Sequence, residues 1–403
     1  MPEKMTAKKE KSKLFHVEKR FDMPLWQSLL IRFGFIIIAL IIGLLILTIS
    51  YRVDPFLAVG QMFIGSFGTW KRFWDFLRDG AVLLAVGLAL IPSFKMKFWN
   101  LGGNGQIIIG ALVSVMLMID LGGVLPDAVV LLIMIPASIL AGAVWSAIPA
   151  IFKALFNTNE SLFTLMMNYV AAGLVSAYIM FKYPVGSHII PRLEHAHFPT
   201  LFNDNLLIVV ISCLLLAFMV YYLKFSKHGY ELTVVGESMN TARYVGINVK
   251  KVIIRTIVVS GAICGLVGCL LASGIDFTVA ENTGNNMGFT AIMAVWLAKF
   301  NPLITAATSF FIVFITRGMT KVQSDNGILN DATPNLVIGL IYFFVIGCEF
   351  FIEYRLLINK GGKEMKLGEF IKSLFRRSSS PVEKVKLPPA TETLEEEEVK
   401  KNG

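Results

Sequence analysis

The residues with the most chemical potential in this sequence lie in one short segment, Asn100-Leu-Gly-Gly-Asn-Gly-Gln106, set between apolar runs. Two asparagines and a glutamine offer neutral donors and acceptors, while Gly102, Gly103 and Gly105 expose backbone N–H and C=O groups at or near membrane depth. Such backbone persists among lipid only where protein or water satisfies it. Two readings follow. One is a discontinuous helix lining a translocation path, with Asn100, Asn104 and Gln106 as neutral groups for a polar solute; the other is an ordinary glycine-rich turn between two spans.

Two further segments carry potential chemistry. Glu281-Asn-Thr-Gly-Asn-Asn-Met-Gly288 precedes a short apolar run ending at Asn301-Pro302, and reads either as a re-entrant gate at the outer mouth or as a plain external loop. In the loop 224–251, Ser238 can cap a two-turn helix from Met239 to Val245 that Gly246 stops, flanked by Lys224, Lys227, Lys250 and Lys251. A short helix held off the membrane by charge can dock into a soluble motor and pass rigid-body movement to the adjoining spans; the plainer reading is a surface turn obeying the positive-inside rule. His195 and His197 lack the carboxylate constellation of a metal site, so no metal is expected. No GxxxxGK[ST] phosphate loop, GxSxG or HExxH is present, so no catalytic residue is assigned and energy must come from another polypeptide, or transport is passive.

The elements that must position these segments follow from composition. With 55% hydrophobic and 16% charged residues, the 403-residue chain lies outside the range of soluble domains. Without strand-like alternation in the apolar runs, an all-α polytopic transmembrane bundle is expected rather than a barrel. At about 20 residues per crossing, about ten spans are expected: 27–50, 79–94, 106–123, 127–152, 161–181, 205–223, 252–273, 288–300, 303–319 and 334–354, with 79–94 and 288–300 short. Basic residues at both termini put both ends in the cytoplasm. The sequence thus divides into a basic N-terminus (1–26), a transmembrane domain (27–354) with the internal loop 224–251, and a C-terminal segment (355–403). In that segment Leu367, Phe370, Ile371, Leu374 and Phe375 suggest a basic amphipathic helix before a disordered acidic tail. The first apolar run is long enough to stay as an anchor rather than be cleaved. The stretch Asp54–Phe67 is expected along the outer interface, with Trp70 and Trp74 as anchors.

The net charge of +9 is spent on membrane sidedness rather than on nucleic acid. Lys71, Arg72, Arg78, Arg317 and Lys321 depart from that sidedness. All four cysteines fall in apolar runs and read as small core residues. Charge is scarce inside the spans, and Asp120 and Glu349 sit near span ends. That scarcity favours a neutral solute over an ion-coupled carrier.

These motifs resemble the permease subunits of bacterial ABC importers of the ribose and branched-chain amino acid class, in the nucleoside or simple-sugar branch. Asn100–Gln106 is similar to the family's Asn-Ile-Gly-Gly-Glu-Gly-Gln, with Asn104 where Glu is usual. Asn159-Glu160 and Thr164-Leu-Met-Met-Asn-Tyr169 also match, as do Gly288-Phe289 and Asn301-Pro302. The loop residues Gly236, Ser238, Asn240 and Ala242-Arg-Tyr-Val-Gly-Ile247 resemble the segment that meets the ATPase, with Ser238 for Asn, Met239 for Pro and Thr241 for Ala. The resemblance implies a type II importer-like fold in a bacterial cell membrane. Asn168 and Phe289 then join the substrate pathway, while Gly236, Ser238, Asn240, Ala242, Arg243, Tyr244, Gly246 and Ile247 couple to the ATPase. It further implies a second permease subunit, cytoplasmic ATPases that bind ATP and Mg, an extracytoplasmic substrate-binding protein, and nucleoside transport. Simple sugars, branched-chain amino acids and an ion-coupled secondary carrier are the alternatives.

Overall fold

The computed structural model describes residues 15–19, 24–183, 190–200, 202–328, 332–360 and 363–366. Apolar runs in lipid must close their backbone hydrogen bonds internally, and helices do so. The chain runs β1 (Phe15–Lys19), α1 (Leu25–Tyr51), α2 (Pro55–Phe67), α3 (Trp70–Lys95), α4 (Gly103–Leu121), α5 (Asp127–Phe156), α6 (Glu160–Lys182) and α7 (Leu206–Phe225). It continues α8 (Lys227–Glu237), α9 (Met239–Tyr244), α10 (Val249–Gly274), α11 (Met287–Leu297), α12 (Pro302–Asp325), α13 (Ala332–Glu353), β2 (Tyr354–Lys360) and β3 (Lys363–Lys366). The amphipathic helix and acidic tail expected beyond residue 366 lie outside the described residues.

Two units divide the chain, 33–346 and the paired ends 1–32 with 347–403. In the second, β1, β2 and β3 form an antiparallel sheet, with Lys19 opposite Tyr354 and Ile358 opposite Met365. An Arg32–Glu349 ion pair of 2.7 Å lies beside it. The pairing brings the start of α1 and the end of α13 together. Nothing in the sequence pattern predicts these strands.

Nine helices among the described residues are long and apolar enough to cross a membrane, and α2 and α11 are shorter. The weak 79–94 expectation becomes the 26-residue α3, because its first turns, Trp70-Lys-Arg-Phe-Trp-Asp-Phe-Leu-Arg78, are helical despite their charge. The 288–300 expectation shrinks to the 11-residue α11, about 16 Å at 1.5 Å per residue, half a bilayer core. The eighth expected span is therefore broken: residues 275–286 are mostly turns, and α11 follows them. Asn286 and Gly288 lie at the start of α4, whereas Trp296 and Phe300 pack on Trp99 and Phe94 at the end of α3.

Helices α3, α4 and α10 are largely buried, while α5, α6, α7 and α12 show much of their apolar surface. Small residues let α4, α5 and α10 approach backbone to backbone, the usual basis of packing in lipid. A Cβ on Gly265 would stand 2.2 Å from the Ser138 carbonyl oxygen, and one on Gly110 would stand 2.4 Å from the Gly265 oxygen. Helix α2 packs on α12 in the same way, with Gly318 against Met62 and Gly65 against the Arg317 carbonyl. Cys264, Cys269 and Cys348 are buried, but Cys213 is exposed on α7, a correction to its expected core position: an apolar run in lipid does not reveal which face points inward.

The near-absence of charge in the spans also needs correction. Arg317 of α12 donates to Asp79 of α3 at 2.6 and 2.9 Å, and Arg78 donates to the other Asp79 oxygen at 3.0 Å. Asn205 joins Asp75 at 3.2 Å and Arg78 at 3.4 Å. Lys321 pairs with Asp325. Three of the five cations that break the sidedness pattern are thus neutralised locally, which removes the cost of their position. Replacing Arg317 by leucine leaves Asp79 half compensated. Because these side chains are 22–26% exposed, the expected loss is about 1–3 kcal/mol, below that of a fully buried pair. An Arg317→Leu/Asp79→Leu double variant recovers most of it, read as thermal stability in detergent; a double variant no better than the single one refutes the pairing.

Candidate functional site

The segment between α3 and α4 is a protein-packed break. Residues 98–102 are not helical, and Asn100 and Gln106 are 0% and 1% exposed. A break without helical hydrogen bonds must satisfy its backbone otherwise. Here side chains of α6, together with Asn100 of the break itself, do it.

From α6, Asn168 accepts from the Gly105 N–H at 2.7 Å and donates to the Leu101 carbonyl at 2.9 Å, so one amide holds both sides of the break. One turn earlier on the same face, Thr164 accepts from the Leu101 N–H at 3.1 Å. Asn100 accepts from Gly102 N–H at 3.1 Å and from the Gln106 amide at 3.3 Å, and it donates to Ser260 of α10 at 3.3 Å. The Gln106 Oε1 atom is buried without a hydrogen-bond partner among the described residues.

Asn104 performs a different task. Helix α11 begins after Asn286, whose φ of +58° is left-handed and whose side chain makes no cap. Asn104 supplies the missing acceptor from another helix: its Oδ1 takes the Gly288 N–H at 2.7 Å, and its Nδ2 donates to Asn286 at 3.4 Å. The broken passage and the α3–α4 break are therefore one hydrogen-bonded unit. A Cβ on Gly288 would lie 2.6 Å from the Asn104 Oδ1, and one on Gly105 2.9 Å from the Asn168 Oδ1, so neither site has room for a side chain.

The structure thus brings together Asn100, Gly102, Gly103, Asn104, Gly105, Gln106 and Asn168, with most of their polar groups bonded to protein. Phe289 stands apart on an open face of α11 with Trp296, at 36% and 39% exposure. Thr164 and Ser260 were not assigned roles from the sequence, and Asn286 was read only as part of the Glu281–Gly288 segment. Thr164 shares a helical face with Asn168, which is a legible signal, whereas Ser260 carries none.

The loop 224–251 holds α8 as well as α9. Ser238 caps α9 by accepting from the Thr241 N–H at 3.2 Å. The end is a Schellman motif: Gly246 has φ +81°, its N–H bonds the Arg243 carbonyl at 3.0 Å, and the Ile247 N–H bonds the Ala242 carbonyl at 2.9 Å. The helix therefore ends at Tyr244, one residue before the expected Val245, with Gly246 just past the cap. Ala242 is fully buried, Asn240 and Arg243 are exposed, and Tyr244 and Val245 project at 93% and 62% exposure.

This loop is fastened to the spans. A Cβ on Gly236 would fall 2.2 Å from the Lys95 carbonyl oxygen, so α8 lies directly on the end of α3. Arg255 of α10 donates to Glu231 of α8 at 2.8 Å and, through that hydrogen bond, holds its carboxyl below the usual range. At the outer side, His195 lies 3.8 Å from Asp127 and His197 bonds the Leu193 carbonyl, so the two rings do not converge.

Comparison with known proteins identifies the family. The family model described as branched-chain amino acid transport system / permease component matches residues 75–346. The chain is 26% identical to the glucose ABC transporter permease protein TsgB13 of Haloferax volcanii, over 84% of this chain and 92% of that one. It is 25% identical to the guanosine ABC transporter permease protein NupP of Bacillus subtilis, over 77% and 90% respectively. It is also 25% identical to the nucleoside ABC transporter permease protein NupB of Lactococcus lactis, over 79% and 92%. No solved structure matches the chain. With a multi-pass helical body, a pinned break after α3 and an exposed helix in the loop that packs on the end of α3, matched over more than half its length, the chain belongs to the branched-chain amino acid transport system permease family, the non-catalytic membrane subunits of ABC transporters.

Proposed function

We propose that this chain imports nucleosides across a bacterial plasma membrane as one half of a permease pair. An extracytoplasmic binding protein delivers the solute, and cytoplasmic ATPases holding ATP and Mg²⁺ drive alternating access. The observation that carries the reading is the contact of Gly236 with the Lys95 carbonyl. Movement imposed on α9 reaches α8, then the end of α3, then Asn100–Gln106 and, through Asn104, the start of α11. Rigid, hydrogen-bonded pieces are what transmit a rigid-body displacement.

In this scheme Asn100, Gly102, Gly103, Asn104, Gly105, Gln106 and Asn168 frame the moving break, and Phe289 faces the solute. Gly236, Ser238, Ala242, Gly246 and Ile247 shape the loop, and Asn240, Arg243 and Tyr244 meet the ATPase. A neutral substrate fits because Arg78, Asp79 and Arg317, which lie within α3 and α12, are paired with each other. Nucleosides are favoured by the names of NupP and NupB. A sugar is the second reading, favoured by the likeness to TsgB13.

The test is uptake of labelled guanosine in cells expressing the native transporter, with unlabelled nucleosides and glucose as competitors. A Gly246→Val/Arg243→Ala variant forces a branched residue into the left-handed region and removes the exposed cation. Its uptake is expected to fall about tenfold or more, as loss of an interface contact does, with membrane insertion unchanged. Normal uptake by that variant sinks the coupling assignment. Uptake that survives ATP depletion or the loss of every ATPase partner restores the secondary-carrier reading, and competition by glucose alone selects the sugar.

A further inference from the structure

A hollow of about 490 Å³ opens beside α9, between the end of α5 and the start of α10. Its wall includes Lys153, Asn157, Arg243, Asn248 and Lys250, with Ile253 at its base. Lys153 is already held by Glu160 at 2.7 Å. Arg243 and Lys250 are exposed and make no ion pair among the described residues. Across Asn248 a smaller hollow of about 230 Å³ adds Lys251 to the rim, while its Lys227 and Arg255 face Glu231 in the same hollow at 3.9 and 2.8 Å.

We propose that the larger hollow receives a carboxylate-bearing protrusion of the ATPase subunit, so that docking uses two contacts, an apolar one at the tip of α9 and an ionic one at its side. The proposal rests on the reading of α9 as the helix that meets the ATPase. Three features select this occupant. Arg243 belongs to α9 itself and neighbours Tyr244, so a protein that covers the tyrosine ring reaches the hollow without a second binding event. The wall alternates cations with the amides of Asn157 and Asn248, which suits a carboxylate that accepts from both kinds of donor. Unpaired cations at the rim of an interface steer an acidic partner and fix its register, whereas the apolar tip has no means of setting orientation.

Two anchors explain how a six-residue helix could transmit force. The tip alone can pivot in its socket. A second point of attachment on the flanks of α5 and α10 resists that rotation and converts closure of the ATPases into displacement of α8 and the end of α3.

The experiment uses the full transporter purified with its own ATPase from native membranes. Three chains are compared: native, Arg243→Gln/Lys250→Gln, and Tyr244→Ala. For the native chain, ATPase retention falls as salt rises from about 50 to about 500 mM, as screening of an ionic contact requires. The double glutamine variant is expected to retain about tenfold less ATPase at low salt and to lose that salt dependence. Tyr244→Ala weakens retention but keeps the salt dependence. A photo-reactive residue at Asn157 should cross-link to an ATPase segment that contains Asp or Glu.

Retention that the glutamine variant leaves unchanged, while Tyr244→Ala reduces it, overturns the ionic seat and leaves the coupling role of α9 intact. A cross-link to an ATPase segment without a carboxylate overturns it too. Loss of co-purifying anionic phospholipid from the glutamine variant, with the ATPase unaffected, assigns the hollow to a lipid headgroup and also overturns the proposal. If neither variant alters retention and Asn157 does not cross-link to the ATPase, the reading of α9 falls with it.

Discussion

Replacing Gly265 by leucine is expected to prevent accumulation of folded chain. The backbones of three helices meet at this residue. Its added Cβ would stand 2.2 Å from the Ser138 oxygen of α5 and 3.1 Å from the Gly142 Cα. From the other side, a Cβ on Gly110 of α4 would fall 2.4 Å from the Gly265 oxygen. The obstructing atoms are main chain, so no rotamer change relieves the clash and whole helices must separate. Overpacking costs about 1–3 kcal/mol where side chains can yield, and about 3 kcal/mol or more is expected here. Lipid offers no hydrophobic drive to reassemble the helices at a new spacing. Thermal stability in detergent should rank native above Gly265→Ala above Gly265→Leu. Gly173→Leu is the control, because a Cβ there meets nothing within 4 Å. Equal stability of Gly265→Leu and the Gly173 control means that the three helices do not meet as described.

The second large effect is expected at Asn104. Leucine removes the acceptor for the Gly288 N–H and the donor to Asn286 in one change. A lost helix cap costs about 0.5–2 kcal/mol and a buried unsatisfied N–H about 1–3 kcal/mol. These figures describe the same bond and do not add. The local result is a loosened start to α11, read as faster hydrogen exchange at Met287–Leu297, with uptake reduced about tenfold or more, the factor that about 1.4 kcal/mol represents. Aspartate keeps the acceptor and adds a negative charge at a helix N-terminus, which favours it, so Asn104→Asp should exchange slowly and transport better than the leucine variant. Native uptake by Asn104→Leu separates the hydrogen-bonded break from transport.

Ser238 and Gly246 show how far local chemistry reads forward. Each acts on its own neighbours: the hydroxyl caps the Thr241 N–H, and the glycine takes the φ of +81° that a Schellman end requires. Helix α9 is consequently legible to within one residue. Helix α8 is not, because its polar and glycine-containing stretch lacks apolar periodicity and is held by Gly236 on α3 and Arg255 on Glu231. Helix α3 is legible only in part for a related reason. A hydropathy reading penalises Asp75, Arg78 and Asp79, and the partners that neutralise them, Arg317 and Asn205, are far away in sequence.

The pinned break divides in the same way. That Asn100–Gln106 interrupts a helix follows from three glycines and the composition around them. What each amide does there does not. Asn104 was read as a group that could touch a solute, and the fold spends its amide on capping α11; Asn168 bridges Gly105 and Leu101.

The sequence by itself determined the membrane-spanning helical class, the approximate places of the crossings, the break and the cytoplasmic helix, because apolar run length, glycine placement and helix caps act over a few residues. Only the tertiary structure decided that the eighth expected span is half a helix, that charges in α3 and α12 cancel, that the chain ends pair as strands, and that the break and α11 are one unit. Those outcomes depend on partners between about 180 and 340 positions away in the chain. Hydropathy and local propensity carry no information about which distant residue will supply the missing hydrogen bond or countercharge.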